Sequence, residues 1–174
     1  MERLERLASL AKELGATGSK VIPAREVYID RRSRLKCLYP PCKYGNTLMC
    51  PPNTRTPEEM GEELKAYKHA VLIHMSIPAV RANVKVAKMR LEGIVEAIER
   101  EAYNAGFYYA LGLKSGPCEL CEKCTLDRCR NPMKARPSME AVGIDVVKTA
   151  RKAGFPIQFP PGEEYNFFGL VLAG

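Results

Sequence analysis

Four of the chain's seven cysteines fall between Cys118 and Cys129, spaced C-x2-C-x2-C-x4-C within GPCELCEKCTLDRCRNP. Prolines at 117, 132 and 137 and a glycine at 116 punctuate this stretch. Such a segment cannot run on as a helix or a central strand, so the fold has to carry it as a loop. A structural zinc site uses two C-x2-C pairs separated by a dozen or more residues, because four ligands must enclose one small ion. Three cysteines in unbroken x2 steps instead match the bacterial ferredoxin run C-x2-C-x2-C-x3-C-P, which wraps a cubane. This chain departs from that run by one residue before Cys129 and by CRNP in place of CP. Cys118, Cys121, Cys124 and Cys129 therefore read as ligands of a [4Fe-4S] cluster, with Zn2+ as the alternative. In two-cluster ferredoxins the fourth cysteine of the run serves the other cluster, so the assignment of Cys129 stays open.

The other three cysteines, Cys37, Cys42 and Cys50, sit in KCLYPPCKYGNTLMCPPN with spacing C-x4-C-x7-C. One or two buried structural thiols would not need three cysteines in fourteen residues scaffolded by Pro40, Pro41, Pro51, Pro52 and Gly45. Arg31, Arg32, Arg34, Lys36 and Lys43 flank the loop; they are expected to lower thiol pKa values and to neutralise an anionic cluster. Two all-cysteine cubanes need eight thiolates, and the chain has seven. Either one cluster keeps an open iron, or a non-cysteine group completes it, or only one cluster exists. An open iron is a Lewis acid that can bind a substrate atom. The expectation is an electron-transfer cluster on the four-cysteine loop and a second, substrate-accessible cluster on the three-cysteine loop, one or two per chain.

Composition narrows the class. With 174 residues, 46% of them hydrophobic, one metal-binding domain over residues 1–174 is expected, with a core that needs no crosslinks to fold. MERLERLASLAKELG has no apolar run of signal-peptide length and no stretch approaches a membrane span. A cytoplasmic, reducing location is expected, where clustered cysteines hold metal or do redox chemistry more often than they pair. The net charge of +7 falls to about +4 once both cysteine sets carry clusters. That surplus suits a redox partner protein or a small-molecule substrate, and with no aromatic–basic interleaving it disfavours nucleic acid.

Periodicity outlines the fold. Leu4, Leu7, Ala11 and Leu14 predict a first helix over about 2–14, stopped by Gly15. VIPAREVYID reads as a strand, with Val27 and Ile29 alternating against charged neighbours. Thr56, Pro57 and Glu59 form a capping box with proline at the first helical position. The continuously apolar HAVLIHMSI (69–77) predicts a strand buried on both faces. A long helix over about 79–104 follows, with Val80, Val84, Ala87, Leu91, Ile94, Ile98 and Ala102 as its stripe. FYYALGL is a further strand, Ser138 a cap for a last helix ending at Gly154, and FPIQF and FFGLVLAG two closing strands. The fold class is α/β (α+β): a single sandwich of helices on a mixed sheet, with cysteine loops at 37–52 and 116–137. Both loops follow strands and precede helices, which places them at one sheet edge as neighbours.

Other candidates carry less. His69 and His74 bracket the buried strand and point to opposite faces of it; a satisfied structural role outweighs a ligand role. Tyr39, Tyr44, Tyr108 and Tyr109 read as packing residues, Glu140 and Asp145 as capping or solvated carboxylates. No P-loop, G-x-G-x-x-G or Ser-His-Asp arrangement is present.

Two stretches, CKYGNTLMCPP (Cys42–Pro52) and GPCELCEKC…CRNPMKARPSMEAVGIDV (Gly116–Val146), resemble a prokaryotic family of predicted metal-binding proteins, domain of unknown function 2284. The likeness runs from about residue 20 to the end. It implies a metal site of iron–sulfur type made by these cysteines and no settled activity. It also places Arg136, Pro137, Ser138 and Glu140 within the family motif. The functional expectation is an iron–sulfur redox protein, an oxidoreductase or desulfurising enzyme if it is an enzyme at all. The competing class is a zinc module that contacts nucleic acid or a protein partner.

Overall fold

The computed structural model describes residues 1–155, 157–158 and 161–174. Helix α1 (Glu2–Glu13) leads into strand β1 (Gly18–Pro23). Helices α2 (Arg31–Leu38) and α3 (Pro57–Leu64) flank the first cysteine loop, and β2 (His69–Pro78) follows. Helix α4 (Val84–Asn104), β3 (Leu111–Leu113), α5 (Val146–Lys152) and β4 (Glu164–Ala173) complete the order. The sheet order is β1-β2-β4-β3.

Strands β2 and β4 form the centre, and their alternation sends side chains into two separate cores. Val71, Ile73, Met75, Val171 and Ala173 meet α1 and α4 on one face. Ala70, Leu72, Phe168, Leu170 and Leu172 meet Met60, Leu64, Met139, Ile144 and Ala150 on the other. Burial on both faces is the reason the β2 sequence is apolar without alternation. Gly169 lets α4 lie close: a Cβ there would stand 2.4 Å from Val95 Cγ2.

The sandwich of helices on a sheet is present as an α+β arrangement, but the sheet expected to be mixed has antiparallel ladders throughout the described residues. Parallel character is confined to an isolated bridge between Lys114 and Ser138. Several boundaries differ from the sequence reading. β1 ends at Pro23 and turns through a 3-10 segment at Ala24–Glu26, so Val27 and Ile29 leave the ladder, Ile29 bridging Ile144 instead. RRSRLK, read as a lead-in to the loop, is helical because Asp30 accepts the Arg32 amide at its N-cap (2.9 Å). The helix assigned to Ser138 begins only at Val146. Ser138 Oγ accepts the Ala141 amide (3.2 Å) to start a 3-10 turn, which Gly143 breaks at φ 87°, and Asp145 caps α5. Val80 lies outside α4, which a 3-10 turn at Arg81–Asn83 precedes, and Val95 joins its buried stripe. FYYALGL pairs only at Leu111–Leu113. The strand expected over 155–159 falls partly outside the described residues; Phe155, Ile157 and Gln158 are not in a strand. The Thr56–Glu59 capping box forms as read. Among the described residues no helix is long and apolar enough to cross a membrane.

Candidate metal centre

The four-cysteine loop leaves the sheet at Lys114 and returns at Ser138, and its base is closed by backbone hydrogen bonds. The Lys114 amide donates to Pro137 O and the Met139 amide to Lys114 O, each at 3.0 Å. Two ion pairs to α4 reinforce the base. Lys114, with its side chain 2% exposed, reaches Glu92 at 2.6 Å, and Arg136 Nε meets both oxygens of Glu99 at 2.9 Å. Glu92 and Glu99 are seven residues apart, two helical turns, so one face of α4 holds both ends of the loop. Between these clamps the chain forms turns and no helix or strand.

Cys118, Cys121, Cys124 and Cys129 all line one cavity of about 500 Å³ together with Lys43 and Tyr44 from the first loop. Asn131 Nδ2 donates to Cys121 Sγ at 3.1 Å. Burial pushes the Cys118 thiol up; the Leu120 amide and the Lys114 charge pull the other way, and the charges of Glu92 and Cys129 add to the rise.

The three-cysteine loop starts inside α2, whose last turn carries Cys37. The Cys42 amide returns to Cys37 O at 3.1 Å and the Gly45 amide to Cys42 O at 2.8 Å, a compact double turn. Cys50 is buried, its thiol 3.8 Å from Tyr44 O, while Cys42 is exposed. All three line a second cavity of about 360 Å³, together with Lys88, Glu140 and Asn166. Tyr44 and Pro117 line both cavities, so the two loops are neighbours as expected, although only the four-cysteine loop follows a strand and the three-cysteine loop follows α2. Both volumes lie within the roughly 300–1,000 Å³ of small-molecule and cofactor sites.

The basic residues do less than their number suggests. Arg31 pairs with Glu58 and Arg32 with Asp30, holding the Asp30 carboxyl down at about 2. Arg34 is buried against the carbonyls of Thr54 and Arg55. Only Lys36 and Lys43 of the five line a cavity. The expected lowering of thiol pKa fails at Cys37. Its thiol is pushed up by burial first, then by the charges of Cys50, Glu140 and Cys42, against a smaller pull from Arg34.

All seven thiols are free. Among the described residues no group of three or more His, Cys, Asp or Glu side chains converges tightly enough to enclose one metal ion. His74 is committed elsewhere. Its Nε2 lies 2.7 Å from Asn166 Oδ1, and its ring stacks on Phe168 at 4.8 Å, between that ring and Phe155. His69 sits at the opposite end of β2, paired with Pro23 and Ala173. The tyrosines read as packing residues are exposed: Tyr39, Tyr108 and Tyr109 stand in solvent and Tyr44 forms cavity wall. Asp145 is the helix cap it was taken for, accepting the Lys148 amide at 2.9 Å. Glu140 is instead a cavity residue.

The clamps Lys114–Glu92 and Arg136–Glu99 escaped the sequence reading. Their one signal was a lysine closing the apolar stretch YALGLK, where a charge needs a partner. The Asn166 contact had no signal because it joins residues 92 apart in the chain, and the Asn131 contact, though only ten residues long, depends on how the loop turns.

Residues 20–173 match the family model described as Predicted metal-binding protein (DUF2284). No curated protein and no solved structure matches the chain.

Proposed function

The chain belongs to the family of predicted metal-binding proteins designated DUF2284, and from that membership we propose that it is an iron–sulfur redox protein. Cys118, Cys121, Cys124 and Cys129 hold an electron-transfer [4Fe-4S] cluster, and Cys37, Cys42 and Cys50 hold a second, substrate-accessible one. The observation that carries this reading is the pair of adjoining cavities, each walled by one cysteine set, that meet at Tyr44 and Pro117. The donor sets fit: thiolates are the ligands that select iron–sulfur clusters. When bound, such clusters supply one-electron transfer, and an iron with an open position supplies Lewis acidity.

The chain's own residues have definable tasks. The Lys114–Glu92 and Arg136–Glu99 pairs fix the base of the loop that carries the four thiols. Asn131 donates to the Cys121 sulfur, a contact of the kind that tunes cluster potential. Buried Lys114 offsets thiolate charge near Cys118. Lys36 and Lys88 on the second cavity favour an anionic substrate there. The four-cysteine loop, with Leu120, Leu126 and Met133 exposed on it, is the face offered to a redox partner protein. Seven free thiols suit a reducing compartment.

Anaerobic purification, with iron, zinc and acid-labile sulfide counted per chain and EPR recorded before and after dithionite, tests the proposal. About eight irons and eight sulfides are expected. About four would remove the second cluster from the reading. Zinc without sulfide in an iron-replete preparation would overturn it and favour the zinc module.

A further inference from the structure

Seven cysteines would leave one iron of two cubanes without a thiolate, and the lining of the three-cysteine cavity offers other donors. Its wall contains one carboxylate, Glu140. Ser115 and Tyr44 also line it, but their hydroxyls are neutral and protonated, weaker ligands for iron than a carboxylate, and the remaining polar side chains are unsuited or engaged. Lys36 and Lys88 are cations. Ser138 Oγ takes the Ala141 amide, and Asn166 Oδ1 is held by His74. The two histidines are excluded by position, His74 by its Asn166 bond and Phe168 stack, His69 by its place at the far end of β2. Glu140 is half-buried, and among the described residues its carboxylate makes no hydrogen bond or ion pair although two lysines share the cavity.

Its position is fixed from the side of the first loop. Glu140 opens the 3-10 turn Glu140–Val142. Thr54, just past Cys50, donates its hydroxyl to Ala141 O at 3.1 Å, and the Asp30 amide at the cap of α2 donates to Gly143 O at 2.8 Å. At the end of the turn Gly143 adopts φ 87° hard against Pro57, where a Cβ would stand 2.6 Å from the ring. The helix that carries Cys37, the exit of the loop that carries Cys50 and the turn that carries Glu140 are therefore braced as one unit.

We propose that Glu140 is the non-cysteine group that completes the three-cysteine site, its carboxylate meeting the iron that Cys37, Cys42 and Cys50 leave without a thiolate. This rests on the reading of a second cluster given above. A carboxylate is a harder, less matched ligand for such iron than a thiolate. With a cluster held there, Glu140 would cover that iron, and Lys36 and Lys88 would draw an anionic group to the same cavity.

The test uses the full chain loaded anaerobically, as wild type and as Glu140→Ala, Glu140→Gln, Glu140→Cys and Cys50→Ala. EPR of the dithionite-reduced proteins, the two midpoint potentials and the iron retained after mild ferricyanide oxidation are measured. In Glu140→Ala and Glu140→Gln, one of two EPR signals and one potential should change. It should be the signal that Cys50→Ala abolishes, and oxidation should release about one more iron per chain than in wild type. Glu140→Cys should retain that iron and shift the same potential. Should Glu140→Ala not fold, the isosteric Glu140→Gln decides. Two wild-type clusters with unchanged signals in the Ala and Gln variants would overturn the Glu140 assignment and leave the second cluster standing. A wild-type chain with one cluster whose signal survives Cys50→Ala would overturn both.

Discussion

Cutting the Lys114–Glu92 pair, at the base of the four-cysteine loop, should destabilise the protein measurably. Lys114 has a side chain 2% exposed, Glu92 is 21% exposed, and the two charges lie 2.6 Å apart. At an effective dielectric of 20 the gross attraction is about 6 kcal/mol, most of it offset by the desolvation of both groups. Glu92→Ala removes the attraction and leaves the lysine's desolvation in place. Breaking a buried pair in this way costs roughly 3–5 kcal/mol; the partial exposure of Glu92 admits some water, so about 2–4 kcal/mol is expected here. For a chain of this length that lowers Tm by roughly 4–16 °C. Thermal melts followed by circular dichroism read it directly. Glu101→Ala, in a 3.9 Å exposed pair with Arg100 on the same helix, is the control and should stay within about 0.5 kcal/mol. The double variant Lys114→Met, Glu92→Leu should recover most of the loss, since an apolar pair of similar volume replaces a buried ion pair at little cost. A Glu92→Ala melt within 2 °C (roughly 0.5–1 kcal/mol) of wild type would refute the reasoning, showing that Lys114 finds water once its partner is gone.

Three further outcomes follow from the structure. Burial between Phe155 and Phe168 lowers the His74 pKa below its ordinary value of 6.5, against smaller upward pulls from Asn166 and the Glu164 charge. The unfolded chain then binds the proton more readily, so this contribution is present above about pH 6.5 and is lost as pH falls below it. Urea midpoints at pH 7.5 and 5.5 should differ less in His74→Phe than in wild type; an equal difference would assign the pH dependence elsewhere. Gly169→Ala places its methyl 2.4 Å from Val95 Cγ2 and should cost about 1–3 kcal/mol by pushing α4 off the sheet; a urea titration with no shift in midpoint would contradict the close approach. Thr56→Ala removes the acceptor of the Glu59 amide at the start of α3 and should cost about 1 kcal/mol in the same assay, whereas an unchanged midpoint would mean that the capping box contributes nothing.

What could be read from the chain was whatever is encoded locally. The capping box at Thr56–Glu59, the stripe Ala87–Leu91–Ile94–Ile98–Ala102 and the two-faced burial of β2 are set by neighbours in sequence, and they appear where the pattern puts them. The cysteine spacings and the family likeness are of the same kind, since ligand spacing within one loop is a local property. Tertiary structure decided the rest. Register and partner choice made the sheet ladders antiparallel, because β4 enters between β2 and β3 from the end of the chain. The left-handed Gly143 ended the turn that Ser138 began, so α5 waited for Asp145. The charges around the first loop, uniform as a string, were separated by distance: Arg31 and Arg32 found carboxylates and Arg34 found carbonyls. Burial and neighbouring negative charge then raised the Cys37 thiol that the string of cations was expected to lower. The placement of Glu140 in one cavity with three cysteines about a hundred residues earlier in the chain is the clearest case. Nothing between residues 37 and 140 specifies that meeting; it exists because the segment after the four-cysteine loop is held to the first loop by the Ile29–Ile144 bridge and by the Thr54–Ala141 and Asp30–Gly143 hydrogen bonds.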